Sequence, residues 1–297
     1  MLADFSRLTV VTVTGEDGAE GGEAAVPSLV HSAAQLPGCR ALMISPERPA
    51  CLPPHIEHQR VKPFGYIGYS LFMLYVLEYF IDTDFALVVQ KDGWVLSADN
   101  WREDFYDCDY IGAPSVAALT INAAGDRSVY DGYVWQGELG RADLEVFPVY
   151  NGGFSLRSKR LLGAPRRLGL SMDIQPPSLV HSYEGKEVRR EMHWPWGHHA
   201  EDAQLCMYMR GALTADGLRF APLDVALDFS FEYLGAAIHA DHDLSRTFGA
   251  HCKLRKFLGG APPDIEWTGT AADLERVYRQ AEVNEFLKTH YHYNIRV

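Results

Sequence analysis

Two hydrophobic patterns divide the chain. From residue 8 to about residue 115, short apolar runs alternate with longer segments of helical character. The run at 8–14 (LTVVTVT) is continuous and β-branched, as in a strand buried on both faces of a parallel sheet. Further strands are predicted at 40–44, 58–62, 85–90 and from 110 to 113, with helices at 28–36, 66–80 and 99–106. Glycine and acid dominate 15–25, and prolines punctuate 46–54, so both read as loops. This alternation predicts an α/β fold: one Rossmann-like domain with a mainly parallel central sheet flanked by helices.

Beyond residue 115 the pattern loosens. Residues 117–147 are polar and aromatic, and read as an excursion over a site. A strand at 149–156 and a short helix at 158–162 return to the sheet. Residues 175–197 read as a loop, 200–210 as a helix, and 219–231 as one or two strands. A C-terminal helix at 271–288 presents Leu274, Val277, Tyr278, Ala281 and Phe286 on one face. We place the main domain at 1–260, with a nucleotide-binding half at 1–115 and a catalytic half at 116–260. Residues 261–297 form a helical extension on the same domain.

Composition narrows the chemistry. The net charge of -12 argues against a broad electrostatic grip on nucleic acid or anionic membrane. Five cysteines without a CxxC pair argue against a disulfide framework or structural zinc, and suit a cytoplasmic protein. No secretory leader is expected at the start of the chain, and the apolar stretch 66–80 is too short to span a bilayer.

Ligands of parallel α/β sheets bind beyond the carboxyl ends of the strands. Thr14 and Asp92 fall at two such ends. Asp92 follows the apolar run 85–89, so it can offer a hard oxygen to Mg²⁺ or Mn²⁺ bridging a diphosphate, or simply make an Asp-Gly turn. Asn151-Gly152-Gly153 can let backbone approach a sugar, with the Asn amide on its hydroxyls; a β-bulge reads the same way. Glu201-Asp202 opens a helix after a stretch containing Trp194 and Trp196. A carboxylate there can serve as general base for an acceptor hydroxyl, or cap the helix. The tryptophans could form a platform for a sugar face or belong to the core. His251 is a candidate metal or phosphate ligand, although a lone histidine is more often structural.

The ordered set VVQKDG, DYIGAP, NGGFSLRS, EDAQLC and FGAH resembles the GT-A superfamily of nucleotide-sugar glycosyltransferases. Within it the pattern is nearest to a poorly characterised bacterial family of GT-A-like proteins. The likeness runs from the first strand to about His251. It implies a GT-A domain and transfer of a sugar from a nucleoside diphosphate donor, UDP-linked by preference, to a hydroxyl acceptor with inversion. Gln90-Lys91-Asp92 aligns with the Asp-x-Asp metal motif, with Gln90 in place of the first acid. The resemblance implies Mn²⁺ or Mg²⁺ at Asp92 and His251, Asp202 as base and Glu201 as a sugar-hydroxyl binder. Thr12, Thr14 and Lys62 would border the nucleotide, and Asn151, Gly152, Gly153, Trp194 and Trp196 the sugar. Two other readings stand beside it: a carbohydrate- or nucleotide-binding protein without turnover, and a sugar nucleotidyltransferase.

Overall fold

The β-branched run forms β1 (Leu8–Val13), with all six residues buried. Its alternate side chains enter two separate cores: Leu8 and Val10 on one face, Val11 and Val13 on the other. A strand buried on both faces cannot be an exposed edge, and β1 lies inside a seven-stranded sheet. The computed structural model describes residues 4–16, 18, 21–172, 174, 176–184, 187–193, 199–235, 237–276 and 278–296.

Helix α1 (Gly22–Gln35) follows β1 and covers the first core face with Val26 and Leu29. It begins inside the stretch predicted as a loop, because small Gly22, Ala24 and Ala25 pack inward despite the glycine-rich approach. Strands β2 (Arg40–Ser45) and β3 (Glu57–Arg60) extend the sheet in parallel beyond β1. Helix α2 (Tyr66–Tyr75) covers the other face with Phe72 and Met73. It gives way to a 3₁₀ turn at Leu77–Phe80, so the predicted long helix is two pieces. Strand β4 (Phe85–Val89) pairs in parallel with β1 and is wholly buried.

The sheet then changes sense. After the short strand β5 (Gly93–Val95), only 3₁₀ turns stand where an acidic helix is predicted at 99–106. Strand β6 (Tyr110–Asn122) is far longer than predicted and turns back into β7 (Arg127–Tyr130). The Asn122 side chain accepts from the backbone of Ala124 and Asp126, and Gly125 supplies a positive φ of 84°. Strand β8 (Leu144–Ser158) runs antiparallel to both β4 and β6. The sheet order is β3-β2-β1-β4-β8-β6-β7. It is therefore mixed: parallel through β4 and antiparallel beyond. Antiparallel neighbours need no crossover helix, which explains why helical periodicity fades after residue 115.

Helix α3 (Lys159–Arg167) is capped by the Ser158 hydroxyl, which accepts from Leu161 N at 3.0 Å. Strands β9 (Ser178–Glu184) and β10 (Glu187–His193) form an antiparallel hairpin where a loop is predicted. The predicted helix at 200–210 is a composite: α4 (Glu201–Ala203), a π turn (Gln204–Tyr208) and α5 (Arg210–Ala215). The 219–231 region yields helix α6 (Leu223–Phe229) and only a two-residue strand, β11 (Ser230–Phe231).

Strand β12 (Gly249–His251) pairs with β11 in parallel and with β5 antiparallel. The C-terminal segment holds strand as well as helix. Strands β13 (Arg255–Gly259), β14 (Asp264–Trp267) and β15 (Asn294–Arg296) form a small sheet with helices α7 (Ala271–Arg276) and α8 (Gln280–Tyr291). Phe257, Ile265, Val283 and Leu287 share a core with Trp94 and Phe231, so this segment packs on the same body. Among the described residues no helix is long and apolar enough to cross a membrane.

Candidate functional site

Three backbone pairings assemble the site. At the carboxyl end of β4 the chain passes through Gln90, Lys91 and Asp92 and enters β5. Gly93 of β5 pairs with His251 of β12, which sets Asp92 beside the imidazole. The Asp92 carbonyl accepts from Cys252 N at 2.6 Å and fixes this junction. Phe231 of β11 pairs with Ala250, so the next residues along each strand, Glu232 and His251, lie side by side.

The result is a buried row of acid, imidazole and acid. His251 Nε2 lies 3.3 Å from Asp92 Oδ1, and its Nδ1 lies 3.6 Å from Glu232 Oε1. Neither ring nitrogen completes a hydrogen bond, though both are out of solvent. Burial works against a charged imidazolium, but the Asp92 and Glu232 carboxylates overcome it and raise the His251 pKa to about 10. Burial also disfavours the Asp92 carboxylate, yet His251 brings its pKa below the ordinary value.

The glycine pair joins this row to the acidic pair. The register of β6 and β8 shifts between Gly112 and Pro114, so the glycines do sit in a bulge. Their lack of side chains has a second use. A Cβ on Gly153 would lie 2.3 Å from His251 Nε2 and 2.7 Å from Gln90 Oε1. A Cβ on Gly152 would lie 2.2 Å from Glu201 Oε1. Consecutive residues thus touch the imidazole on one side and the acidic pair on the other. Asn151 Oδ1 accepts from Gly153 N at 2.6 Å and locks the turn.

Asp202 and Glu201 have different surroundings. Asp202 accepts from Gly152 N at 3.0 Å and from Ala203 N at 2.7 Å. Burial, with the adjacent Glu201 charge, nevertheless raises its pKa to about 7. A carboxylate poised there can accept a proton at neutral pH. Glu201 instead pairs with Arg157 at 2.8 Å, both side chains being buried.

The other predicted residues are placed as follows. Gln90 donates through Nε2 to the Tyr69 hydroxyl at 2.8 Å, and its backbone N donates to Gly153 O. Thr12 is buried at the sheet interior and donates to Val89 O at 2.7 Å, a link between β1 and the end of β4. Thr14 stands at the end of β1 and accepts from Glu16 N at 3.1 Å. Lys62 is exposed beyond β3. Trp194 and Trp196 lie outside the described residues.

Sequence reasoning missed Tyr69, Arg157 and Glu232. The signal for two of them was present: a single charge inside an apolar or aromatic strand, as in FSLRS and FSFEYL, has to be met by a partner when it is buried.

Among the described residues no group of three or more His, Cys, Asp or Glu is arranged to hold a metal ion. Asp92 and His251 still offer one carboxylate and one imidazole side by side. Nε2, the orphaned ring nitrogen that faces Asp92, fits a divalent cation once its proton is displaced, with the remaining ligands taken from phosphate and water. Counting Asp92, Glu201, Asp202 and Glu232 against Arg157 and His251, negative charge is in excess, which favours a cation.

Comparison with curated proteins finds no match, and neither does comparison with solved structures. A family profile does match, over residues 65–251, and the matched stretch contains the acid–imidazole row, the glycine pair and the acidic pair. The chain belongs to the family described as Protein of unknown function (DUF5672).

Proposed function

We propose that the chain is a GT-A-type glycosyltransferase. It moves a sugar from a nucleoside diphosphate donor, UDP-linked by preference, to a hydroxyl acceptor with inversion. The observation that carries this reading is the glycine pair. Its two residues touch a carboxylate held at about 7 and an acid–imidazole row within one short turn.

Asp202 takes the acceptor proton as the oxygen attacks the anomeric carbon. Gly152 N holds one Asp202 oxygen in place, and the Arg157–Glu201 pair fixes the start of α4. Asp92 and His251, the latter in its unprotonated form, would hold the divalent ion, Mn²⁺ or Mg²⁺. When bound, it supplies Lewis-acid stabilisation to the departing diphosphate. Gly153 and Asn151 shape the sugar pocket, and exposed Tyr66, within electrostatic reach of Asp202, borders the mouth.

The test begins with a thermal-shift panel of nucleoside diphosphate sugars, with and without Mn²⁺. Transfer or donor hydrolysis is then assayed for each stabilising donor. A stabilising donor and turnover that disappears in Asp202→Asn support the reading. No stabilisation by any donor overturns it. Binding without turnover selects the alternative, a carbohydrate- or nucleotide-binding protein, which Gln90 at the first acid position favours.

A further inference from the structure

We propose that the cavity beside α5 is a second binding site, for a compact oxyanion: a carboxylate or phosphate attached to a small apolar body. The cavity measures about 420 Å³ and is lined by Asp107, Arg210, Thr214, Arg219, Phe220 and Pro222, among others. None of these belongs to the site described above.

Arg210 makes the case. Its guanidinium carbon lies 4.5 Å from the centroid of the Phe147 ring and 4.3 Å from that of Phe220. Two aromatic faces therefore hold the fork in one plane. Its Nη1 is buried with no acceptor. Among the described residues no carboxylate pairs with Arg210 or Arg219. Two of the nearby acids are committed elsewhere. Asp109 accepts from Arg160 at 2.7 Å and from the Arg219 backbone at 2.8 Å, while Asp216 pairs with Arg167 at 2.5 Å.

In a chain with 39 acidic residues, two arginines on one cavity wall have no carboxylate ion pair among the described residues. Burial accordingly lowers the Arg210 pKa from its usual value. A pre-oriented guanidinium matches the two oxygens of a carboxylate or phosphate. Exposed Asp107 on the rim opposes a polyphosphate and favours a single oxyanion. Phe220 and Pro222 supply the apolar wall for the rest of the ligand.

The test uses the full chain with two probes, inorganic phosphate and benzoate, at constant ionic strength. Calorimetry and thermal shift should show saturable one-to-one binding of at least one probe. Phosphate alone marks a phosphate-type ligand, and benzoate alone a carboxylate. Arg210→Gln and Arg219→Gln should each weaken binding about tenfold or more, the loss expected for a charge-assisted hydrogen bond. Arg219 is exposed, so its variant should fold even where loss of Arg210 packing does not allow folding. Absence of saturable binding for both probes overturns the proposal. So does unchanged affinity in the Arg219 variant.

Discussion

Arg157 and Glu201 form an ion pair of 2.8 Å from which solvent is almost wholly excluded. The guanidinium also donates to Ser155 Oγ at 3.0 Å and stands 5.4 Å from the Tyr110 ring centroid. One member of the acidic pair is thereby tied to the sheet. Removing one partner of a buried pair strands the other charge and costs about 3–5 kcal/mol. Glu201→Leu and Arg157→Leu are each expected to lose that much in urea unfolding. The double variant should lose much less than the sum. Additive losses would show that the two charges do not depend on each other.

Gly153→Ala should separate His251 from Asp92. The added methyl would stand 2.3 Å from Nε2, and the imidazole is walled in by Glu232 on its other side. Overpacking of this kind costs about 1–3 kcal/mol. The expected outcome is a lower melting temperature together with weaker Mn²⁺ binding, measured by electron paramagnetic resonance. Wild-type Mn²⁺ affinity in this variant would argue against a metal at His251.

Asp202 makes a signed prediction in pH. Its carboxyl titrates at about 7 in the folded chain, against about 3.9 when unfolded. The folded state therefore holds the extra proton between those values. Its stabilising contribution is complete at low pH and is lost as pH rises through 7. Transfer activity should run the opposite way, rising through the same range as the base ionises. Asp202→Asn should flatten the stability slope between about pH 4 and 7 and cut turnover by about 10²- to 10⁴-fold. A retained slope, followed by urea melts across pH, would assign the titration to another group.

Without a metal ion His251 should remain protonated through neutral pH, and a cation at Asp92 and His251 would have to displace that proton. The imidazole pKa of about 10 arises against burial, from Asp92 and Glu232. The raised value means that its stabilising contribution is present below about 6.5 and is lost as pH rises through 10. Asp92→Asn and Glu232→Gln should each bring the ring titration down, followed by nitrogen NMR of the imidazole. A ring that titrates near 6.5 in the wild-type chain would mean that the row does not hold a proton.

The parallel half of the fold was legible because a strand buried on both faces has to be apolar throughout, as 8–13 and 85–89 are. The antiparallel half was not. Strands β6 and β8 carry polar residues such as Asn122 and Glu145 along a partly open ribbon, and their pattern merges with that of a loop. At the site, the order of the motifs led to Asp92, the glycine pair, Asp202 and His251. The pairing of β11 with β12 that aligns Glu232 with His251 is only two residues long, too short to leave a periodic trace. Tyr69 had no signal, since a tyrosine in an apolar helix looks like core until its hydroxyl is seen to meet Gln90.

The π turn between α4 and α5 has a consequence of phase. Met209 N reaches back to Gln204 O at 2.8 Å, spanning one residue more than an α turn. Each residue of an α-helix advances about 100° around the axis. Deleting one residue from 204–208 would let the stretch run as an unbroken α-helix. With every residue kept and the stretch forced into unbroken α geometry, Asp202 would instead turn about 100° away from Gly152 while Arg210 kept its place between the two rings. The wide turn is what allows both ends of one short rod to point where they do.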